Sequence, residues 1–239
     1  MLKTNDRSKG VAFENPLTGG VTVVGGTRGT VSTRRCWPAL SHDLRVRWCS
    51  ASAKVDVCDS AVANDPRLHD ACVLVVTGER REESPARSRY AAAQVRHGTN
   101  RRRRVDHWRA VLDWSESEVW ALIRRHRVRP HPAYALGFSL VSCLTCIFHD
   151  ADGWASVKDA APERLDRVAT REREMGHTVR VGLSVIDQAE RDVAFSRDAD
   201  PDTKTLAMGR EYSADSVIVP VDEEWRLPLD AYRRCTGPS

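Results

Sequence analysis

Four apolar residues, Val73-Leu74-Val75-Val76, run straight into a charged turn, Thr77-Gly78-Glu79-Arg80-Arg81-Glu82-Glu83-Ser84. The run is short, largely β-branched and does not alternate with polar residues, so Cys72 to Val76 predicts a parallel strand buried on both faces. In open α/β sheets ligands bind beyond the carboxyl ends of such strands. The turn sits at that place. Arg80 and Arg81 offer forked donors to sulfate or phosphate oxygens, and Glu82 and Glu83 are placed to pair with them and hold them in orientation. Pro85 suits the first position of a helix over Ser84 to Arg89. The same residues also describe an ordinary charged turn that caps a helix.

Further along, three short patterns come in order. Val111-Leu112-Asp113-Trp114 leads to Val119-Trp120; His131-Pro132-Ala133-Tyr134-Ala135-Leu136-Gly137 comes next; Cys143-Leu144-Thr145-Cys146 closes the series. Each is weak alone, but their order and spacing are specific together. With the turn at Gly78 to Ser84, the set resembles the phosphoadenosine phosphosulfate (PAPS) reductase family, a branch of the N-type ATP pyrophosphatases. In that family a strand enters a G-x-R-R-x-E-S-like turn, followed by a P-L/I-x-D-W…V-W segment, then H-P-x-Y-x-x-G and Cys-x-x-Cys. The likeness runs from about Arg34 to Phe195. Arg47-Trp48-Cys49-Ser50, with Lys54, is similar to the family's R-x-C-T/S-x-x-L-K segment.

The resemblance implies an adenine nucleotide alpha hydrolase-like α/β fold: a partial, mostly parallel sheet flanked by helices, with a helical C-terminal extension. It implies an adenine nucleotide or sulfonucleotide held by Gly78, Arg80, Arg81, Glu83 and Ser84, with His131 and Tyr134 at the substrate or in a structural turn. No catalytic residue is singled out. The family's S-G-G-K-D-S phosphate loop has no counterpart here, nor does the Walker pattern. Pro16 to Gly20 and Gly25 to Gly29 are glycine-rich but match neither. The expected organisation is a flexible or remnant segment over 1–35 with one short strand at Val21-Thr22-Val23-Val24, a core over 36–150, a helical extension over 151–197 and a polar tail over 198–239 with a small strand at Val217-Ile218-Val219.

Composition narrows the setting. No run of eighteen apolar residues occurs, so no membrane-spanning helix is expected. Met1 to Gly10 is polar and lacks the apolar stretch of a secretory signal, which predicts a cytoplasmic protein. The formal charge is +4, but only five of the 37 basic residues are lysines. Arginine suits forked recognition of phosphate and sulfate; a compositional bias explains the same count. Arg101 to Arg104 is either a solvated loop or a track for a nucleic-acid backbone.

Helical signals are clear at several places. Asp56 to Asn64 carries Val57, Ala61 and Val62 on one face and stops at Asp65-Pro66. Ser115 and Glu118 form a capping box, followed by Val119, Leu122, Ile123 and His126 at helical spacing, with Pro130 and Pro132 as the stop. His126 and the tryptophans Trp114 and Trp120 are read as packing residues. Trp154 to Asp159 reads as a short turn, Pro162 to Met175 as an amphipathic helix ended by Gly176, and Ser184 to Arg191 as another helix. Tyr90 to Val105 is polar and basic and predicts a loop.

Seven cysteines is an odd number, with no spacing typical of a secreted disulfide framework. Cys143 and Cys146 have ligand spacing for zinc or an iron–sulfur cluster, and Cys36 and Cys49 are the best candidates to complete the set. Some members of the resembled group carry a four-cysteine [4Fe–4S] cluster, which is the expected cofactor here, with zinc as the alternative. A redox dithiol and four unconnected thiols are also open. Cys58 and Cys72 lie in apolar surroundings and are expected to be packed. Cys235 stands in Arg234-Cys235-Thr236-Gly237, unlike the family's E-C-G-[IL]-H context, which argues against a thiosulfonate mechanism there. The functional expectation is sulfur reduction or sulfur transfer on an adenylyl nucleotide or its sulfated form. The alternative is a non-catalytic subunit or fragment that binds nucleic acid, a partner chain or a second copy.

Overall fold

The structure, a computed structural model, describes residues 4–6, 10–14, 21–24, 32–33, 37–41, 47–50, 54–209, 213, 217–228 and 231–232. The chain packs as two units, Met1–Asp113 and Trp114–Ser239.

The first unit begins with four short strands, β1 (Thr4–Asp6), β2 (Gly10–Glu14), β3 (Val21–Val24) and β4 (Ser32–Thr33), paired antiparallel in the order β3-β2-β1-β4. The β-branched run at 21–24 is the one strand legible from sequence. A turn of helix, α1 (Trp48–Ser50), precedes α2 (Asp56–Asn64), whose bounds are those predicted. Proline lacks the amide a helix needs, and Asp65 instead caps the next turn by accepting from Arg67 N at 2.9 Å.

The second sheet of this unit is mixed: β5 (Cys72–Thr77), β6 (Ala93–Val95) and β7 (Arg104–Arg109) in the order β5-β7-β6. β5 and β7 are parallel, in register from Cys72 opposite Arg104 to Thr77 opposite Arg109. β6 is an antiparallel edge on β7, inside the stretch whose polar composition predicts a loop. Its hairpin turns at Gly98, with φ +102°, and at Asn100, whose Oδ1 accepts from the amides of Arg102 and Arg103 at 2.8 and 3.0 Å. Arg103 is buried and donates from Nη1 to Val62 O at 2.7 Å, satisfying a carbonyl in the last turn of α2. Arg96 Nε meets Asp59 of the same helix at 2.9 Å. Two arginines thus fasten the hairpin to α2.

One face of this sheet is covered, with Val105, His107 and Arg109 buried. On the other, Leu74 and Val76 are 57% and 54% exposed, and Val95 and Trp108 are exposed beside them. The expectation of a strand buried on both faces therefore holds for one face. An unalternated run places apolar residues on both sides whether or not something covers them. Cys72, expected to be packed, lies on the exposed side, and Cys58 is half-buried. The helix predicted over Ser84 to Arg89 is reduced to one 3-10 turn, Arg87–Arg89, and a second such turn, Arg81–Glu83, precedes it.

In the second unit α3 (Glu116–Arg125) starts at the predicted capping box: Ser115 Oγ accepts from Glu118 N at 3.2 Å, and Glu118 Oε2 accepts from Ser115 N at 2.7 Å. It ends at His126, ahead of Pro130, because Arg127 turns left-handed with φ +51°. His126 is consequently an exposed cap residue instead of a packed one. The C-terminal stretch, which its composition presents as a polar tail, returns to this helix. Val219, Trp225 and Ala231 form a core with Trp120, against which Ile123 and Tyr134 pack. Trp225 Nε1 donates to Val128 O at 2.7 Å and Trp120 Nε1 to Ala231 O at 3.1 Å. Each indole thus buries its ring without stranding its N–H.

The remaining helices are α4 (Ala151–Ala160), α5 (Pro162–Met175), α6 (Val185–Ala189) and α7 (Pro201–Met208). The predicted short turn at Trp154 is all of α4, and α5 has the predicted bounds. Trp154, Val157, Leu165 and Val185 fill the core between them. Buried Glu172 ties the loop after α5 by accepting from Val179 N at 2.8 Å and Val185 N at 3.0 Å. Among the described residues no helix is long and apolar enough to cross a membrane.

The packing makes two glycines unequal. Gly137 ends a 3-10 turn with φ +78°, and a Cβ there would land on the Phe195 side chain. Gly176 has φ +69° with open space around it. Gly176→Ala is expected to cost roughly 1–2 kcal/mol from the left-handed backbone alone, and Gly137→Ala distinctly more, read as urea midpoints. Equal midpoints would contradict this account. Three partly or fully desolvated histidines add a pH dependence. Burial holds the imidazoles of His107, His131 and His149 below their usual range, with Arg109 adding to the effect at His107. The unfolded chain takes up protons near pH 6.5 that the folded chain refuses, so this stability is complete above about pH 6.5 and is lost as the pH falls below it. The urea midpoint should drop between pH 7.5 and 5.5, and the His149 ring resonances should titrate at lower pH than those of an ordinary exposed histidine.

Candidate functional site

The carboxyl ends of β5 and β7 lie side by side because the pairing is parallel, with Thr77 opposite Arg109. The Gly78 to Ser84 turn leaves directly from the end of β5. A Cβ built on Gly78 meets nothing within 4 Å, so the glycine leaves open space beside the backbone. Glu79 is the hub of the residues behind it. Its Oε2 accepts from Thr77 Oγ1 at 2.9 Å and from Arg109 Nε at 2.8 Å. Thr77 Oγ1 also meets His107 Nε2 at 2.8 Å. The carboxylate cannot donate, so the threonine proton goes to Glu79 and the histidine Nε2–H goes to the threonine. This places a proton on His107 Nε2, while burial, with the Arg109 charge beside it, pushes the imidazole below its ordinary pKa. Arg109, 7% exposed, also donates from Nη1 to Ala91 O at 2.8 Å and stacks over the Tyr90 ring at 4.7 Å.

The two arginines predicted to hold an anion are both engaged by their own loop. Arg80 ion-pairs with Glu82 through Nη1, and its amide donates to Glu83 Oε2 at 3.1 Å. Arg81 Nε bonds Asp113 at 2.5 Å, and its Nη1 holds Ser88 O and Tyr90 O at 2.7 and 2.8 Å. Glu83 also takes Arg87 Nη1 at 2.7 Å, and Ser84 Oγ accepts from Arg87 N at 3.2 Å. Glu82 and Glu83 therefore hold Arg80, as their sequence position predicts. Arg81 is fixed by Asp113 and two carbonyls, which no local pattern announces. Nor does any motif announce the Glu79–Thr77–His107–Arg109 network. Its signal is positional: residues at the ends of adjacent parallel strands become neighbours only once the register is known.

His131 and Tyr134 lie in the second unit and both have structural partners. His131 Nδ1 accepts from Ala133 N at 3.1 Å, starting the 3-10 turn Pro132–Leu136. Tyr134 packs edge-on against Trp120, ring centres 5.6 Å apart. Of Arg101 to Arg104, the first two are exposed, Arg103 is buried against α2, and Arg104 pairs with Asp106 at 2.9 Å. The run is not a continuous cationic track.

Cys143 is exposed and Cys146 half-buried on the turn before α4. His149 pins that turn from beneath: its Nε2–H donates to Leu144 O at 2.9 Å, and its ring lies 5.6 Å from Phe138 and 5.7 Å from Trp154. Gly153 of α4 leaves room for the ring, since a Cβ there would sit 2.9 Å from Nδ1. Cys49, half-buried, belongs to the first unit, and Cys36 and Cys235 lie outside the described residues. Two thiolates do not make a cluster site, and among the described residues no group of three or more His, Cys, Asp or Glu side chains is placed to hold a metal ion.

Comparison with known proteins gives the site its context. Residues 41–148 match the family model of the phosphoadenosine phosphosulfate reductase domain. An uncharacterized 37.8 kDa protein of Escherichia phage 186, in the gpa 5′ region, is 31% identical over 157 residues, 65% of this chain and 46% of that protein. Adenosine 5′-phosphosulfate reductase of Neisseria meningitidis serogroup A is 33% identical over 100 residues, 42% of this chain and 36% of the enzyme. The enzyme of the same name from Allochromatium vinosum is 37% identical over 71 residues, 30% of this chain and 26% of that one. The chain thus spans less than half the length of the curated relatives it matches. No solved structure matches it significantly. The matched stretch contains both parallel strands and the Gly78 to Ser84 turn, so residues 41–148 of this chain are similar to the phosphoadenosine phosphosulfate reductase domain.

Proposed function

We propose that this chain binds a sulfonucleotide such as adenosine 5′-phosphosulfate through the turn Gly78 to Ser84, in the service of sulfur reduction or sulfur transfer. The observation that carries the reading is where the turn lies. It leaves a parallel strand at its carboxyl end, opens on a glycine with free space beside it, and presents two guanidinium groups. That is the general location of anion sites in open α/β sheets. The two curated reductases, whose printed substrate is adenosine 5′-phosphosulfate, support the choice of ligand. Arg80 supplies charge held in place by Glu82 and Glu83. Arg81 keeps the turn folded onto the segment 88–113 while retaining its own charge. Gly78 lets the backbone approach the ligand.

Calorimetric titration with adenosine 5′-phosphosulfate should show saturable binding, and Arg80→Gln should weaken it roughly ten- to a hundredfold, the usual effect of losing a charged hydrogen bond. Arg81→Gln should in addition lower the melting temperature, since it releases Ser88, Tyr90 and Asp113. Release of sulfite and AMP with a dithiol reductant would make the chain an enzyme by itself. Binding without turnover would make it a binding subunit. Absence of any binding would defeat the reading.

The Cys-x-x-Cys spacing supports a cofactor proposal, an iron–sulfur cluster held by Cys143 and Cys146 with Cys49 and Cys36, zinc being the alternative. No step above passes through it. Anaerobically purified protein should then contain iron and absorb in the visible, and Cys143→Ser should remove both. Stoichiometric zinc without colour would replace the cluster with a structural metal. A metal-free protein whose four thiols alkylate readily would remove the proposal.

A further inference from the structure

We infer that Arg109, which no sequence motif marks, is the third guanidinium of the anion site, with Glu79 and Tyr90 as its positioning residues. The inference rests on the reading that the Gly78 to Ser84 turn takes an anion, and it names the residue that would face that anion from the neighbouring strand.

Arg109 is buried among partners that account for only part of its fork. Nε is used by Glu79 at 2.8 Å and Nη1 by Ala91 O at 2.8 Å, while the Tyr90 ring lies 4.7 Å from the guanidinium carbon. Among the described residues Nη2 donates no hydrogen bond. Nor is it sealed from solvent, as the unpartnered Nε atoms of Arg103 and Arg180 are. A buried guanidinium gripped on two of its nitrogens and stacked on a ring has little freedom left. Its unused amino group therefore points in a fixed direction, which is the preorganisation that anion recognition requires. Among the described residues Arg80 and Arg81 share this arrangement: each is held through Nε or Nη1 by a carboxylate, and in neither does Nη2 donate a hydrogen bond. The register brings Arg109 to the same end of the sheet, opposite Thr77 and one residue from Gly78.

The ligand class is a tetrahedral oxyanion with several acceptor oxygens, the sulfate or phosphate end of a nucleotide. Glu79 acts through Arg109. Its carboxylate orients the guanidinium and, through Thr77, ties it to His107 on the same strand.

The test titrates the full chain with adenosine 5′-phosphosulfate, with AMP and with inorganic sulfate, for wild type, Arg109→Lys, Arg109→Gln and Arg80→Gln, with melting temperatures alongside. Arg109→Lys keeps the charge and a contact to Glu79 but loses the fork. It is expected to melt near wild type and to bind adenosine 5′-phosphosulfate at least tenfold more weakly, with a smaller loss for AMP. Glu79→Gln, which leaves Arg109 charged but less firmly held, should weaken binding by a smaller factor. If Arg109→Lys binds as wild type does while Arg80→Gln binds weakly, Arg109 is a scaffold residue and the inference is overturned with the turn's role intact. If wild type binds none of the three anions, both fall. An Arg109→Gln protein that fails to fold leaves the Lys variant to decide.

Discussion

Parallel pairing of β5 with β7 is the constraint on which the rest of the first unit depends. An antiparallel partner would send the two chain ends to opposite edges of the sheet. The parallel register places Thr77 and Arg109 at one edge, so a turn and a guanidinium separated by about thirty residues become neighbours. Parallel strands need a connection that leaves the sheet and returns. Here the chain uses 78–103 for it, and that connection is itself the candidate site and the β6 hairpin. The arginine contacts are consequences of this route. Arg103 and Arg96 hold the hairpin to α2, Arg81 holds the turn to 88–90 and Asp113, and Arg109 closes the end of β7.

The charge balance of the turn then matters. Four arginines, at 80, 81, 87 and 109, face four carboxylates, at 79, 82, 83 and 113. Each of these four guanidinium charges is thus offset by a carboxylate at close range. If the turn takes an anion as proposed, recognition would come from directed short-range donors whose orientation the carboxylates enforce. Exposed ion pairs contribute little to stability on their own, so their use here is positional. The carboxylates fix where each fork points, at the cost of cancelling its long-range attraction.

Much of the fold was legible in the sequence, and the reasons differ by element. α2 and α5 were readable to the residue because their signals are local: apolar spacing, Asp65-Pro66 and Gly176 as stops. The Ser115–Glu118 box gave the start of α3 for the same reason. The end of α3 was not readable, since Arg127 leaves the helix through a left-handed turn that no glycine announces. β6 was hidden because Ala93-Gln94-Val95 is a short edge whose pairing is decided by β7 and not by its own composition. The stretch 217–231 looked like a tail because its core contacts, the two indole N–H bonds to carbonyls among them, join residues about a hundred positions apart. Of the candidate site, the arginine turn was legible from its motif. The Glu79 hub and Arg109 were not, because their significance arises only from the strand register.

The same distinction bears on the cysteine turn. Spacing gives Cys143 and Cys146 the pattern of a ligand pair; it does not give the shape of the turn that carries them. In the structure the turn is already shaped by His149, whose ring is clamped between Phe138 and Trp154 and whose Nε2–H holds Leu144 O between the two cysteines. Arg180 Nη2 adds a bond to His149 O at 3.2 Å. Burial keeps that imidazole neutral, so the donor on Nε2 persists at neutral pH and the turn does not rely on a charge. The turn that carries both thiols is thus held by a buried histidine and its two aromatic neighbours.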